Sequence, residues 1–199
     1  MKVAVLVSGR GSNLQALIDA VNSKELQVEI CLVLSDKADA YALERAHRHG
    51  IPTAVVQRKG YSNKAEFQKA ILEEVKSHGA ELVVLAGFMR ILGRTFLSSF
   101  PNRVINIHPA LLPAFPGIDA QRQALDYGVK FSGCTVHFVD EGMDSGPIIA
   151  QHVVPVMDDD DRDALADRIL EQEHLLIVEG VKLFSEGRLK VDGRKVTIV

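Results

Sequence analysis

Asn106 and His108 are the first residues whose types and spacing suggest chemistry. They lie two positions apart at the end of a β-branched, apolar run within residues 104–113. Residues i and i+2 of a strand point to the same face, so an amide and an imidazole would lie side by side where the strand ends. A histidine near neutral pH can give and take protons, and an asparagine amide can donate to an oxyanion. The pair therefore indicates acid–base chemistry on a carbonyl group.

Asp144 is the candidate for a third member of this group. It lies in a turn between Gly142 and Gly146. A carboxylate beside His108 would stabilise the protonated imidazole. Spacing alone cannot bring the two together, and aspartate is also common in turns for purely structural reasons. Because no serine or cysteine nucleophile is evident nearby, we expect acyl transfer directly between two bound substrates, without a covalent enzyme intermediate.

A second motif is the glycine-containing loop of residues 8–13, SGRGSN, between the first apolar run and the first helical pattern. Its glycines permit close backbone approach, and Ser12 and Asn13 could cap the helix. The N–H groups of a first helical turn attract anions. Leu14 stands where a dinucleotide fingerprint needs a third glycine, and no Gly-Lys-Ser/Thr follows. The loop predicts a site for one phosphate monoester, or else an ordinary capped turn.

The elements that must position these residues alternate between strand and helix patterns in the first half of the chain. We predict strands over 2–7, 27–35, 52–57, 81–87 and 103–108, separated by helices over 14–23, 38–50, 63–79 and 90–100. Such alternation is typical of an α/β fold with an open, mostly parallel twisted sheet and helices on both faces. Ligands of these folds bind beyond the carboxyl ends of the strands, where residues 9–13, 87–92 and 106–108 would lie.

The pattern changes after residue 108. A proline-rich loop over 109–117 is followed by a helix over 118–128, strands over 132–140 and 146–156, and a long helical stretch over 158–187. A hairpin is predicted around Asp192 and Gly193. The fold class is therefore Rossmann-like α/β with antiparallel additions on the C-terminal side. We expect one domain over 1–199, with halves over 1–100 and 101–199.

Composition narrows the function classes. The 199 residues include 47% hydrophobic and 25% charged residues, and the formal net charge is −3. This balance argues against a broad nucleic-acid or membrane surface. Cys31 and Cys134 lie in apolar runs without zinc-ligand spacing, so we expect buried thiols, no metal ion and a cytoplasmic location. No run of about 18 apolar residues is present. The expected partners are small molecules, with a monomer or homodimer as the assembly.

Four stretches together resemble the folate-dependent phosphoribosylglycinamide formyltransferases. They are VLVSGRGSNLQAL (5–17), VLAGFMRIL (84–92), NIHPALLPAFPG (106–117) and GCTVHFVDEGMDSGPII (133–149), and the likeness extends over residues 2–187. The resemblance implies a Rossmann-like formyltransferase fold. It also implies transfer of the formyl group of 10-formyltetrahydrofolate, a co-substrate, to the amine of 5-phosphoribosylglycinamide in purine (IMP) biosynthesis.

The resemblance also implies roles for individual residues. Asn106, His108 and Asp144 match the catalytic positions, with Thr135 and His137 in support and a water near Asp144 and Thr135 that carries a proton. The residues matching the phosphoribosylglycinamide site are Gly11, Ser12, Asn13, Pro109 and Glu173. Those matching the folate site are Lys64, Met89, Arg90, Ile91, Leu92, Asn106, Asp140, Glu141, Gly142, Met143 and Asp144. A cis peptide bond is expected at Leu112-Pro113.

This chain departs from the family pattern at a few positions, and two rival functions remain open. Lys64 replaces a common arginine, which keeps the charge but loses bidentate recognition. Asp119 and Ala120 stand where some members have a pair of residues that includes a histidine. Leu170 stands at a position that can be a polar substrate contact. A 10-formyltetrahydrofolate hydrolase would use similar chemistry, with water in place of the amine. A non-catalytic nucleotide-binding sensor would use the loop of residues 8–13 but would not need Asn106 beside His108.

Overall fold

The computed structural model describes every residue from Met1 to Val199. The chain divides into two compact units, Met1–Ile105 and Asn106–Val199. The first unit contains strands β1 (Lys2–Val7), β2 (Glu29–Ser35), β3 (Thr53–Val55) and β4 (Leu82–Leu85), and helices α1 (Ser12–Asn22), α2 (Tyr41–Arg48), α3 (Lys64–Ser77) and α4 (Arg94–Ser99), with one 3-10 turn at Arg58–Gly60.

Strand β5 (Val104–His108) begins at the end of the first unit and carries the first residues of the second. The second unit continues with helix α5 (Ala120–Tyr127), strands β6 (Phe131–Phe138) and β7 (Ile148–Pro155), and the long helix α6 (Arg162–Ser185). Strands β8 (Leu189–Asp192) and β9 (Lys195–Ile198) then form a separate antiparallel hairpin, as predicted.

The larger sheet has seven strands in the order β3-β2-β1-β4-β5-β6-β7. In the first unit, β1 pairs in parallel with both β2 and β4, and β2 pairs in parallel with β3. In the second unit, β6 and β7 are antiparallel. The predicted fold class, a mostly parallel α/β sheet with antiparallel additions on the C-terminal side, is confirmed.

The core of the first unit lies around β1. Val3 to Val7 are all buried, and Val5 is in register with Val33 of β2 and Val84 of β4. A continuous apolar run is what a strand covered on both faces requires, which explains why β1 has no alternation of polar residues. Leu14, Leu17 and Ile18 form the buried stripe of α1 at helical spacing.

The core of the second unit forms where α6 packs on β6. Leu165, Ile169, Leu176, Ile177 and Val181 of α6 are fully buried. Gly180 sets the closeness of this contact, because a Cβ there would lie 2.6 Å from Cγ1 of Val136. The glycine therefore serves helix-on-sheet packing in the middle of a helix, where it would otherwise lower helix stability.

The predicted bounds were wrong at several helix ends, and the helix expected over 38–50 spans only Tyr41–Arg48. The helix expected over 90–100 begins only at Arg94, because the Gln68 side chain donates to the Ile91 carbonyl and accepts from the Gly93 N–H, holding that stretch out of the helix. The long helix begins at Arg162 rather than in the acidic run. Asp161 caps it by accepting from two first-turn N–H groups.

Candidate active site

His108 and Asp144 come together in the second unit. Nδ1 of the buried His108 lies 3.4 Å from Oδ2 of Asp144, and its Nε2 lies 2.8 Å from the carbonyl oxygen of Phe115. Both ring nitrogens thus face oxygen acceptors. Only an imidazole protonated at both nitrogens can donate to both of them.

Asp144 is held by its backbone and by a neighbouring loop. Its φ of 50° lies in the left-handed region, which few residues other than glycine adopt. The Gly117 N–H donates to its Oδ2 at 2.8 Å. This hydrogen bond fixes the carboxylate toward His108, so the strained turn aims the side chain at the imidazole.

The turn that carries Asp144 is braced from within and from the hairpin. Asp140 Oδ1 accepts from the Gly142 N–H at 3.0 Å and from the Ser145 hydroxyl at 2.6 Å. The guanidinium of Arg194, in the β8–β9 connection, donates to the Ser145 carbonyl at 2.8 Å. The turn is therefore tied to two other parts of the unit.

Asn106 is oriented by His137, the second buried histidine. His137 Nδ1 lies 2.9 Å from the Phe138 carbonyl oxygen, which can only accept, so Nδ1 carries the proton. Nε2 is then an acceptor, and Asn106 Nδ2 donates to it at 3.1 Å. The bond uses one amide hydrogen of Asn106 and leaves the other for an oxyanion. His137 was predicted only as a supporting residue, and its hydrogen bonds define how it supports.

The Thr135 hydroxyl is hydrogen-bonded to the loop after His108 and to β7. Its hydroxyl donates to the Ala110 carbonyl at 2.6 Å and accepts from the Leu112 N–H and the Gln151 amide at 3.0 and 2.9 Å. One donor and two acceptor positions are all that a hydroxyl has. The Thr135 hydroxyl is therefore fully engaged with the loop after His108 and with Gln151, and the water expected near Asp144 and Thr135 stays a prediction.

Acidification should destabilise the fold through His137. Burial lowers the pKa of this imidazole below the ordinary value of 6.5, against the opposing effects of the Phe138 carbonyl and the Asp144 charge. Between the two pKa values, His137 binds a proton in the unfolded chain but not in the folded chain. The free energy of unfolding should therefore fall as the pH drops below about 6.5, until the folded pKa is passed.

Urea unfolding at several pH values from about 7.5 to 5 measures this effect. A His137→Gln variant should show a weaker pH dependence in this window than the unsubstituted protein, whatever its stability at neutral pH. Parallel pH curves for the two proteins would contradict the prediction.

The loop of residues 8–13 in the first unit departs from prediction in one respect. Gly11, not Ser12 or Asn13, is the N-cap of α1, and no side chain caps the helix. Gly11 has a φ of 72°, and a Cβ there would lie 2.5 Å from Cβ of Ala42. Arg45 donates to the Arg10 carbonyl at 2.9 Å and braces the loop. The predicted capping was wrong, and the uncapped first turn keeps the features of an anion site.

A cavity of about 370 Å³ in the first unit brings together most of the predicted folate residues of that unit. Lys64, Met89, Arg90 and Ile91 line it, whereas Leu92 is buried. Sequence reasoning missed Arg58, Phe67 and Gln68, which also line it. The cavity thus combines three cations with apolar walls, a surface suited to an aromatic ligand that carries carboxylates.

Arg90 is held in this cavity by a buried network. Its Nε donates to Asp36 Oδ2, 2.6 Å away, and the Asp36 side chain is fully buried. The Ser8 hydroxyl donates to Asp36 Oδ1 at 2.6 Å and accepts from the Met89 N–H at 2.8 Å. Neither Ser8 nor Asp36 was predicted as an individual site residue, although each directly follows a strand of the sheet.

The remaining predicted residues lie in varied surroundings. Pro109 is half-buried, Glu141 and Met143 are exposed, and Glu173 is buried in α6. Burial of the Cys134 thiol, with a smaller effect of the Glu173 charge, raises the pKa of that thiol to about 12. Asp119 pairs with Arg162 at 2.8 Å, a contact that ties α5 to α6. The Leu112-Pro113 bond is cis, as predicted.

Three further features bear on ligands. A second cavity, of about 410 Å³ in the second unit, contains no predicted site residue and is mostly apolar; Leu111, Phe115, Tyr127 and Phe131 are among its lining residues. No three His, Cys, Asp or Glu side chains are grouped as metal ligands, and the expected independence from metals stays a prediction. None of the helices has the length and apolar character that crossing a membrane requires.

The mostly parallel sheet with its antiparallel additions defines an α/β protein. The Formyl transferase family model matches residues 1–181, and the chain belongs to that family. A phosphoribosylglycinamide formyltransferase of Bacillus subtilis is 46% identical over 173 residues, 87% of this chain and 89% of the relative.

Two further comparisons agree. The crystal structure of glycinamide ribonucleotide transformylase 1 from Symbiobacterium toebii superposes with a TM-score of 0.99 at 48% identity, covering 100% of this chain and 94% of that one. The trifunctional purine biosynthetic protein adenosine-3 of Chironomus tentans is 44% identical over 195 residues. The chain covers 97% of its own length in that match but spans only 14% of the length of this relative.

Proposed function

We propose that this protein transfers the formyl group of 10-formyltetrahydrofolate to the amine of 5-phosphoribosylglycinamide, a step of purine biosynthesis. The observation that carries the proposal is the cluster of Asn106, His137, Asp144 and His108: Asn106 donates a hydrogen bond to His137, and the Asp144 carboxylate lies 3.4 Å from His108 Nδ1 and 3.8 Å from His137 Nε2. It offers an amide donor and a protonatable imidazole in one buried place. Those are the groups that formyl transfer without a covalent enzyme intermediate requires.

The proposed reaction forms one bond and breaks one. The neutral glycinamide amine attacks the formyl carbon, and the carbonyl oxygen becomes an oxyanion. The remaining N–H of Asn106 and the protonated His108 stabilise that oxyanion. The bond from the formyl carbon to N10 of the folate then breaks, N10 takes up a proton, and the former amine loses one. Overall, a proton on one nitrogen is exchanged for a formyl group on the other.

His108 has to change a partner for this step. Its Nε2 is hydrogen-bonded to the Phe115 carbonyl, whereas Nδ1 faces Asp144. Donation from Nε2 to the substrate requires that the bond to Phe115 be exchanged for one to the substrate. Asp144 can stay beside Nδ1 throughout and stabilise the charged ring, because Gly117 and the turn hold it in place.

Residues of the first unit are assigned to the ends of the two substrates. The phosphate monoester is assigned to the first turn of α1, with Gly11, Ser12 and Asn13, because that turn has no side-chain cap. The folate is assigned to the cavity with Lys64, Arg90 and Arg58, whose positive charges suit the carboxylates of its glutamate. Exposed Met89 and Ile91 supply an apolar surface for its rings.

The other proposed features follow from the same assignment. Glu173 and Pro109 are assigned to phosphoribosylglycinamide. The loop of Asp140 to Asp144 is assigned to folate binding. Leu92 is assigned to folate binding as well. The partners are small molecules, the assembly is a monomer or a homodimer, and the proposed location is the cytoplasm.

A release assay tests the proposal. The protein is mixed with 10-formyltetrahydrofolate, with and without phosphoribosylglycinamide, and formation of tetrahydrofolate is followed by absorbance. We expect release only when both substrates are present, in equal amount to formylated product. Release without the amine would show a hydrolase instead, and binding without release would show a sensor.

A further inference from the structure

Two of the three residues that follow Pro109, Ala110 and Leu112, are hydrogen-bonded through their backbone to two side chains of the β6–β7 hairpin. The Thr135 hydroxyl donates to the Ala110 carbonyl and accepts from the Leu112 N–H, as described above. The Gln151 amide nitrogen donates to the Leu112 carbonyl at 2.9 Å and to the Thr135 hydroxyl at 2.9 Å. One glutamine amide therefore bonds both to this backbone segment and to the side chain that anchors it.

The register of the hairpin explains this arrangement. Gln151 of β7 lies directly opposite Thr135 of β6, so both side chains leave the same face of the sheet. Gly133, two residues before Thr135, is on this face too, and a Cβ there would lie 2.9 Å from a methyl carbon of Leu111. Residues 110–112 thus lie against this face, where two side chains meet three of their backbone polar groups.

The anchored segment begins two residues after His108 and leads directly to Phe115. The Phe115 carbonyl is the partner of His108 Nε2. A shift of residues 110–112 would therefore move both the backbone that carries the imidazole and the acceptor that faces it. Misplacement of a catalytic group by about 1 Å can cost up to about a hundredfold in rate.

We infer that Gln151 is a positioning residue for His108, acting through Thr135 and the Leu112 backbone. It does not touch the reacting atoms. The inference rests on the proposed role of His108 in formyl transfer and deepens it. A glutamine on a partly exposed strand would otherwise contribute little, since surface polar residues are usually replaceable at small cost.

The test replaces Gln151 with leucine, which has similar size but no donor. We expect Gln151→Leu to lower kcat by about tenfold or more, with KM for both substrates within about twofold. In the same variant, the Leu112 amide hydrogen should exchange faster with solvent. Gln172→Leu is the matched control, because Gln172 bonds only to the His152 side chain, and it should leave both readouts unchanged.

A double variant separates positioning from general stability. If Gln151 acts through His108, adding Gln151→Leu to His108→Ala should not lower the residual rate further. An additional tenfold loss, or an unchanged kcat in Gln151→Leu, would overturn the inference. Should Gln151→Leu fail to fold, Gln151→Glu, which keeps the length and polarity but puts a carboxylate against the Leu112 carbonyl, is measured in the same way.

The outcomes for this inference and for the proposed function are distinct. Transfer by the unsubstituted protein with no effect of either Gln151 variant would remove only the inference. Absence of transfer by the unsubstituted protein would remove the proposed function, and the inference with it.

Discussion

Replacing His108 with alanine is expected to lower kcat by at least about a hundredfold, or about 3 kcal/mol in activation free energy. The imidazole is the proton donor of the proposed reaction. Its loss also leaves Asp144 without its cationic partner. Steady-state kinetics with both substrates measures the effect, and KM should change much less than kcat.

A control variant and a test of folding check this result. His152→Ala, in the same unit but bonded to Gln172 and Glu179 on α6, should retain nearly all of the activity. Both variants should give circular dichroism spectra like that of the unsubstituted protein. Near-normal turnover by a well-folded His108→Ala variant would rule out the proposed proton donor.

Replacing Asn106 with alanine should cost a similar amount, about a hundredfold to a thousandfold in kcat. Removal of one oxyanion donor typically has this effect, because the bond strengthens only as charge develops on the substrate oxygen. Asn22→Ala, at the exposed end of α1, is the matched substitution and should be almost without effect. A rise in KM of this size with an unchanged kcat would mean that Asn106 serves binding alone.

His137 makes this prediction sharper. It accepts one hydrogen of the Asn106 amide, so we expect it to influence the reaction through that side chain rather than through Asp144, whose Oδ1 lies 3.8 Å away. His137→Ala alone should lower kcat, whereas the Asn106→Ala, His137→Ala double variant should be no slower than Asn106→Ala. A further loss in the double variant would assign His137 a separate role, since independent contributions multiply.

The residues of the site could be named from the sequence more readily than their contacts. Strand periodicity was enough to place Asn106 beside His108, and the turn composition around Asp144 made it a candidate. What the sequence lacks is the left-handed backbone of Asp144 and the Gly117 hydrogen bond, which aim the carboxylate. Both depend on contacts between segments that are distant along the chain.

Hydrogen-bond partners were the other feature that the sequence did not predict. Thr135 was expected to lie near a water, and the three partners from 110–112 and β7 that fill its hydroxyl were not foreseen. Ser12 and Asn13 were expected to cap α1, but the left-handed Gly11 takes the cap position. Gln68 delayed the start of the helix predicted over 90–100 through bonds that span more than 20 residues. Local propensity cannot register such tertiary bonds.

The fold itself was predicted well because its signals are local and repeated. A buried parallel strand such as β1 needs an unbroken apolar run, and a helix such as α1 needs its 3.6-residue stripe. Each recurs several times before residue 108. Departures arose at element ends, where a single side chain such as Asp161 or Gln68 decides the boundary.

The hydrogen bond from Arg194 to the Ser145 carbonyl couples the β8–β9 hairpin to the turn that carries Asp144. A rearrangement of that turn on ligand binding would strain or release this link. A fluorophore attached to the exposed hairpin would then report on the turn from a distance, without any chemical change to a residue that meets the substrates.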